Sequence, residues 1–423
     1  MTNGTEPRMT GHMTGSTPRA PRRARVLGAA LLLTAVVGGG AAAPAAAAGG
    51  SSVRLPVLPS TVSADDPCTA GSGRQATAVP WEQAGLQLNR AWQVTTGDGV
   101  TVGVVDTGVS TSAPALKGRV TAVGDAGTDC VGHGTFVAGL VAAATQDGVR
   151  FAGVAQHARI LAVRGTDSRG TVTAERVAAG IEAAVEGGAK VVTVSAALDH
   201  DSAALRSAVA LAAKKDVLVV AAAVPNVPST PSSTDLPAHD FYPAAADGVL
   251  SVLDVDVDGK RPTGSYTTDS ADLAAPGDGV VGIGPAKNGH YIGSGASLAA
   301  GFVAGSAALV RSVHPELSAK ETARLLRSSA YPADVPRLDP YAAVTSVLTS
   351  GNGGLRGQAA AAPPVRMPED KAAGPLRRAM WPTAAGLGVI IAVVWLGVIL
   401  PRGRRLGWRP TRVKTAQSAE TEA

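Results

Sequence analysis

Aromatic residues are scarce in this 423-residue chain: 5 Trp, 5 Tyr and 4 Phe make up 3% of it. The core must therefore be built from Ala, Val, Leu and Gly, which demands close packing of small side chains. Cysteine is rarer still, with Cys68 and Cys130 alone. None of the seven histidines pairs with another at metal-ligand spacing on a helix, so neither a catalytic metal nor any other cofactor is expected. The formal charge of +5 gathers at the ends, around Arg19, Arg22, Arg23 and Arg25, and around Arg402, Arg404, Arg405, Arg409 and Arg412. The stretch between mixes both signs and shows no basic face, which argues against a nucleic-acid partner. No internal repeat is visible.

What the chain does have begins with two apolar segments near its ends. Arg22, Arg23 and Arg25 precede an apolar run, Val26 to Val37, and a small-residue run, Ala41 to Ala48. That order predicts a signal peptide over 1–48, with an uncleaved signal anchor as the alternative. Thr383 to Leu400 is apolar, uncharged and about long enough to cross a bilayer, and Arg402, Arg404 and Arg405 follow it. The positive-inside rule places residues 402–423 in the cytoplasm, a span at 381–401, and the body of the chain outside the cell membrane. An exported chain meets an oxidising environment, so a Cys68–Cys130 disulfide is expected, two free thiols being the alternative.

Between the ends, residues 49–80 read as an extended polar arm, 81–348 as an ordered domain and 349–380 as a Gly/Ala/Pro linker. Apolar runs predict strands at Val100–Val105, Arg159–Val163, Val191–Val194, Val217–Ala222 and Val249–Leu253. Helical patterns lie between them, at Thr135–Ala144, Ala174–Val185 and Ala203–Ala213, with a long apolar helix at Leu298–Val313. Ser318 and Glu321 form a capping box for a helix running to about Ser328. This alternation predicts an α/β fold, a parallel sheet with helices on both faces, plus one C-terminal transmembrane helix.

Three residues stand out chemically. Asp106 ends the first strand, where α/β sheets build their sites. His133 sits between Gly132 and Gly134 at the start of a helix, and imidazole suits proton transfer near neutral pH. His157, His200, His239 and His290 have no comparable setting. Ser297 follows Gly295-Ala296 at the head of the long helix; Ser294 is a competitor in a weaker pattern. Asp106-Thr107-Gly108 also suggests an aspartic peptidase, but that chemistry needs a second such carboxylate, and the chain has no second Asp-Thr-Gly or Asp-Ser-Gly. A serine hydroxyl needs a base and the base an orienting acid, and Asp106, His133 and Ser297 supply all three.

At these residues the chain resembles the subtilase family of serine peptidases over most of Trp81 to Val347. Val104-Val105-Asp106-Thr107-Gly108-Val109, Gly132-His133-Gly134-Thr135-Phe136-Val137-Ala138-Gly139 and Gly295-Ala296-Ser297-Leu298-Ala299-Ala300-Gly301 are similar to its aspartate, histidine and serine motifs. Gly153-Val154-Ala155 and Leu273-Ala274-Ala275-Pro276-Gly277 resemble further stretches of that fold. Trp81-Glu82-Gln83, Asp129-Cys130-Val131-Gly132-His133, the cysteine-containing arm and the C-terminal span resemble the mycosins, membrane-anchored subtilases of type VII secretion. The resemblance implies a subtilisin-like fold, an Asp106–His133–Ser297 triad, a protein or peptide substrate, a type VII secretion complex as partner, and an arm that wraps the domain without inhibiting it.

The chain also departs from that pattern. Ala296 and Gly301 stand where the family usually has Thr and Pro. The oxyanion asparagine normally follows Ala-Ala-Gly. Here Ala221-Ala222-Ala223-Val224-Pro225-Asn226 puts Pro225 at that position, and Asn226 serves only if the loop has gained a residue. Proline donates no hydrogen bond, and loss of one oxyanion donor costs roughly 100- to 1,000-fold in turnover. Ser195-Ala196-Ala197 replaces the Ser-Leu-Gly or Ser-Trp-Gly segment that pairs with substrate backbone. Two expectations follow: an exported, anchored serine endopeptidase, or a catalytically weak subtilase-fold subunit of a secretion complex.

Overall fold

The computed structural model describes residues 54–226, 238–346 and 373–407. The expected signal peptide, the arm before Arg54, the linker as far as 372 and the tail from 408 lie outside the described residues. The chain divides into two units, Met1–Arg54 and Leu55–Ala423, and the architecture below belongs to the second.

Two short helices, α1 (Trp81–Gly85) and α2 (Leu88–Ala91), precede strand β1 (Thr101–Asp106). There follow β2 (Val120–Ala122), α3 (His133–Ala142), β3 (Arg159–Arg164), α4 (Ala174–Glu186), β4 (Val191–Val194), α5 (Ala203–Lys214) and β5 (Leu218–Ala222). After β5 come β6 (Val249–Val255), β7 (Leu273–Pro276), β8 (Val280–Ile283) and β9 (His290–Gly293). The domain ends in α6 (Ala296–Val313), α7 (Ala319–Ser328) and α8 (Pro340–Thr345), and α9 (Ala373–Arg405) lies beyond.

The strands form a seven-stranded sheet in the order β2-β3-β1-β4-β5-β6-β7, with every neighbouring pair parallel. Strands buried on both faces read as unbroken Val, Ile, Leu and Ala runs, which is why the sequence showed runs and no alternation. The period-2 geometry still sorts the side chains. Val102, Val104, Ile160, Ala162, Leu218 and Val220 pack into the core that holds α3 and α6. Val105, Leu161, Val163, Val192, Val194 and Val219 pack with Val177 and Ile181 of α4 and Leu205 and Val209 of α5. The expected helices therefore cover both faces. Ser318 caps α7 as its spacing predicted: its hydroxyl accepts from Glu321 N–H at 3.2 Å, and its own N–H donates to Glu321 Oε2 at 2.9 Å.

The short elements were not legible in the sequence. Strands β8 and β9 make an antiparallel hairpin, and Phe136 of α3 packs flat against Gly282 within it. The Trp81-Glu82-Gln83 run clamps that hairpin and its neighbour. Trp81 Nε1 donates to Gly279 O at 3.2 Å, Glu82 Oε1 accepts from Val281 N–H at 2.8 Å, and Gln83 Oε1 accepts from Ala152 N–H at 3.1 Å.

The arm from Leu55 onward lies along the domain. Leu58 N–H donates to Ile292 O and Ile292 N–H to Pro56 O, both at 2.9 Å; Val62 N–H donates to Arg169 O at 3.0 Å; Arg150 N–H donates to Ala76 O at 2.8 Å. Cys68 is bonded to Cys130, 62 residues on, and Thr69 N–H donates to Cys130 O at 2.8 Å. Closing a loop of that length restricts the unfolded chain by about 4 kcal/mol in the loop-entropy account.

Helices α6 and α9 are both long and apolar enough to cross a bilayer. Within α6 that window is 89% buried, which marks a core helix, whereas the window at Ala385–Arg405 is unburied.

Glu82 is a buried carboxyl whose Oε2 meets no partner among the described residues. Burial pushes its pKa up from 4.5 to about 7, against the opposing effect of the Val281 N–H bond. The folded state thus binds the Glu82 proton more tightly than the unfolded chain, and its contribution to stability falls as pH rises from about 4.5 through about 7. Glu82→Gln should therefore raise the thermal midpoint at pH 8, by up to about 3 kcal/mol in stability, and leave it little changed at pH 5. Thermal melts of both proteins at the two pH values test this; equal shifts at both would contradict it.

Candidate active site

The sheet order brings the site together. Asp106 ends β1, Ser195 follows β4 and Asn226 follows β5, so three adjacent strands deliver three polar groups at their carboxyl ends. His133 opens α3 and Ser297 lies in the first turn of α6, and both helices pack on the same face of the sheet.

Asp106 is 2% exposed. Its Oδ1 accepts from Thr107 N–H at 2.6 Å, and its Oδ2 accepts from the Ser195 hydroxyl. His133 Nδ1 lies 2.9 Å from Asp106 Oδ2 and 3.0 Å from Oδ1. A carboxylate only accepts, so Nδ1 carries the proton in the neutral ring and Nε2 is left as the acceptor. Nε2 lies 3.0 Å from Ser297 Oγ. The three residues singled out in the sequence thus form one chain of hydrogen bonds across 191 positions of primary structure, counting from 106 to 297.

Two glycines make this approach possible. A Cβ on Gly134 would sit 2.1 Å from Gly108 O and 3.0 Å from Asp106 Cβ, so a side chain there would push α3 off the aspartate. Gly295 has φ of 143°, and a Cβ on it would sit 2.0 Å from Asn226 Oδ1. The Gly295 N–H donates to Gly277 O at 2.7 Å, which ties the serine turn to the Leu273–Gly277 stretch at the end of β7.

Burial opposes ionisation of Asp106, but the charge of His133 and the hydrogen bonds from His133, Ser195 and Thr107 outweigh it and hold the carboxyl below its usual range. Burial likewise disfavours charged His133, but the charge of Asp106 and its hydrogen bond, with the Asp129 charge, together outweigh it and hold the imidazole pKa above 6.5.

Asn226, not only Pro225, had been open as the residue beside the serine. Its carboxamide Oδ1 lies 3.0 Å from Ser297 Oγ and 3.4 Å from Ser297 N. The structure thus sets Asn226, and not Pro225, beside the serine. The single Ser297 hydroxyl proton therefore faces two acceptors at 3.0 Å, His133 Nε2 and Asn226 Oδ1. A half-turn of the carboxamide exchanges Oδ1 for the Nδ2 donors at the same place.

Ser294 takes no part in this chain; its Oγ accepts from Gly279 N–H at 3.0 Å. Ser195, expected with Ala196 and Ala197 to line the substrate, directs its side chain to Asp106, and Ala196 and Ala197 are half-buried beside it. Asp129 was missed as a working residue. Half-buried in the loop before His133, it accepts from Thr107 Oγ1 and Gly132 N–H at 2.8 Å each, and from Thr135 N–H at 2.8 Å and Thr135 Oγ1 at 2.6 Å. Thr107 Oγ1 in turn accepts from Gly134 N–H at 2.9 Å. Asp129 thus knots the end of β1 to the start of α3; a carboxylate four residues before the histidine was its only trace in the sequence. Among the described residues no group of three or more His, Cys, Asp or Glu is placed to hold a metal ion.

Comparison with known proteins agrees with this geometry. Residues 97–361 match the model of the subtilase family, Peptidase_S8. Mycosin-3 of Mycobacterium tuberculosis (strain ATCC 25618 / H37Rv) is 32% identical over 394 residues, covering 76% of this chain and 84% of the relative. Thermitase of Thermoactinomyces vulgaris is 35% identical over 237 residues, covering 54% and 80%. The solved structure of MycP3 protease from the type VII (ESX-3) secretion system superposes with a TM-score of 0.59 at 30% identity, over 70% of this chain and 98% of that one. With the family model matching more than half of the chain and a mycosin likeness in both sequence and fold, this chain belongs to the subtilase family of serine peptidases and is mycosin-like within it.

Proposed function

We propose that the chain is an exported, membrane-anchored serine endopeptidase in which Asp106, His133 and Ser297 are the catalytic triad. The observation that carries this reading is the unbroken Asp106–His133–Ser297 hydrogen-bond chain with a carboxamide at its end. Asp106 holds the tautomer that leaves His133 Nε2 free to accept. As Ser297 Oγ attacks a peptide carbonyl carbon, Nε2 takes its proton, and the carbonyl oxygen becomes an oxyanion. The Ser297 N–H and Asn226 Nδ2 donate to that oxyanion once the carboxamide has turned, since negative charge repels Oδ1 and attracts the amide donors. Protonated His133 then delivers its proton to the leaving amine nitrogen as the C–N bond breaks. Water attacks the resulting ester with His133 again as base, the acid product leaves, and Ser297 regains its proton.

Anchoring is supported by the 21-residue apolar stretch Ala385–Arg405, about 30 Å of helix, and by the arginines at its end. The likeness to mycosin-3, and to a protease from a type VII secretion system, supports work beside such a system. A protein or peptide is then the substrate.

Three outcomes follow. Full-length protein in detergent should react with a fluorophosphonate at Ser297, and Ser297→Ala should lose both labelling and peptide cleavage; unchanged cleavage by that variant would refute the assignment. Proton acceptance requires neutral His133, so kcat/KM should fall as pH drops through a midpoint above 6.5. Asp106→Asn should move that midpoint down and lower kcat by about 10⁴-fold. An acid limb at the same pH in both proteins would argue against the role of Asp106. Finally, in intact cells an added protease should degrade the domain and spare an epitope tag placed after Ala423; a digested tag would reverse the orientation.

A further inference from the structure

Two separate segments bring the base and the nucleophile together, and this inference rests on the peptidase reading of that pair. One is the loop from Asp129 to Gly132, which leads into His133 and α3. The other is strand β9, whose last residue, Gly293, lies four positions before Ser297. Between them His133 Nε2 and Ser297 Oγ meet at 3.0 Å. The arm touches both segments.

On the serine side the arm runs beside β9. Val57 pairs with Ile292 in parallel, the Ile292 N–H donating to Pro56 O and the Leu58 N–H to Ile292 O, both at 2.9 Å. The next residue back in β9 reaches further along the arm: the Tyr291 hydroxyl donates to Ala70 O. On the histidine side Thr69, the residue before Ala70, donates to two consecutive carbonyls. Its N–H bonds Cys130 O at 2.8 Å and its hydroxyl bonds Val131 O at 2.6 Å. The Cys68–Cys130 disulfide fastens the same point. Leu58 closes on this loop too, since a Cβ on Gly132 would sit 3.2 Å from Leu58 Cδ1.

The histidine loop needs such an outer hold. Its Gly132 N–H is turned inward, to Asp129 Oδ1, and its Cys130 and Val131 carbonyls are taken by the arm. Val131 is buried. A buried carbonyl that loses its donor stays unpaired at a cost or turns to find another partner. Val131 is two residues from His133, so such a turn moves the imidazole. A displacement of about 1 Å at a reacting pair is enough to cost about 100-fold in rate.

We propose that the arm is a splint between the strand that presents Ser297 and the loop that presents His133, with Thr69 as its positioning residue. The Thr69 hydroxyl, steadied from β9 through the Tyr291–Ala70 bond, fixes the loop so that Nε2 stays within reach of Ser297 Oγ. Thr69 bonds to neither of these residues and acts only through Cys130 and Val131.

The test is the rate at which a small fluorophosphonate labels Ser297 in full-length protein in detergent. It is measured well below each protein's thermal midpoint, so that a loss of stability alone leaves the rate unchanged. Thr69→Val keeps the shape of the side chain without its donor and should label about tenfold more slowly than wild type. Thr69→Ser restores the hydroxyl and should label within about twofold of wild type. If Thr69→Val does not fold, Tyr291→Phe puts the same question at the other end of the splint and should slow labelling by about threefold or more. Labelling of Thr69→Val at the wild-type rate, or an equal slowing in Thr69→Ser, overturns the splint and leaves the peptidase reading standing. Where Tyr291→Phe must stand in, its labelling at the wild-type rate has the same meaning. No labelling of the wild-type protein overturns the peptidase reading and this inference with it.

Discussion

The rest of the site depends on one buried charge, the Asp106 carboxylate. An ion at 2% exposure is stable only if its surroundings replace the water it has lost. Three groups do so here, and each comes from a different element: Thr107 N–H from the end of β1, Ser195 Oγ from beyond β4, and His133 from α3. Satisfying the charge therefore fixes the mutual placement of two strands and a helix. Removing one partner leaves a buried charge short of a hydrogen bond, which costs more than the bond itself is worth. The arrangement that makes Asp106 tolerable in the core is also the one that aims His133 Nε2 at Ser297.

Asp129 extends the same logic one layer outward. It is a second, half-buried carboxylate whose pKa is raised by its loss of water and further by the nearby charge of Asp106. Two like charges in one region disfavour each other, and the structure offsets this with four hydrogen bonds to Asp129, one from Thr107 at the end of β1 and three from the loop and helix that carry His133. The disulfide partner Cys130 is the next residue, and Thr69 donates to both Cys130 O and Val131 O, at 2.8 and 2.6 Å. The arm is thereby stitched to the loop that presents the histidine. An arm held at this point reinforces the site from outside the domain, in keeping with a segment that stays in place.

Much of this was legible because the strands are buried on both faces and the helices have clear caps. Val191–Val194 and the Ser318 cap were readable to the residue, since an apolar run bounded by polar turns, or a Ser three residues before a Glu, carries its own boundary. The hairpin β8–β9 carries no such mark: its strands have four residues each, and one runs Val-Val-Gly-Ile, too short for a period to show. The contacts of Ser195 and Asp129 were hidden for another reason. They join residues 89 and 22 positions apart, to Asp106 and Thr107 respectively, and no local pattern announces such a pairing. The position of Asn226 was undecidable in principle from one chain, because a loop one residue longer and a loop with proline in place of asparagine have the same letters.

The departures from the family pattern weigh differently once they are placed. A Cβ added to Gly301 would meet Val137 and Leu140 at 3.4 to 3.6 Å, ordinary contact distances, so the packing does not forbid a side chain there. A glycine inside a helix costs about 1 kcal/mol relative to alanine, and nothing in the structure explains its use. Ala296 is different. It is fully buried against the cluster that holds Phe241, where a threonine would have to find both volume and a hydrogen-bond partner for its hydroxyl. Alanine at 296 and phenylalanine at 241 are thus consistent with each other: the small residue makes room for the ring. The glycine at 295 is what leaves space for the Asn226 carboxamide beside Ser297.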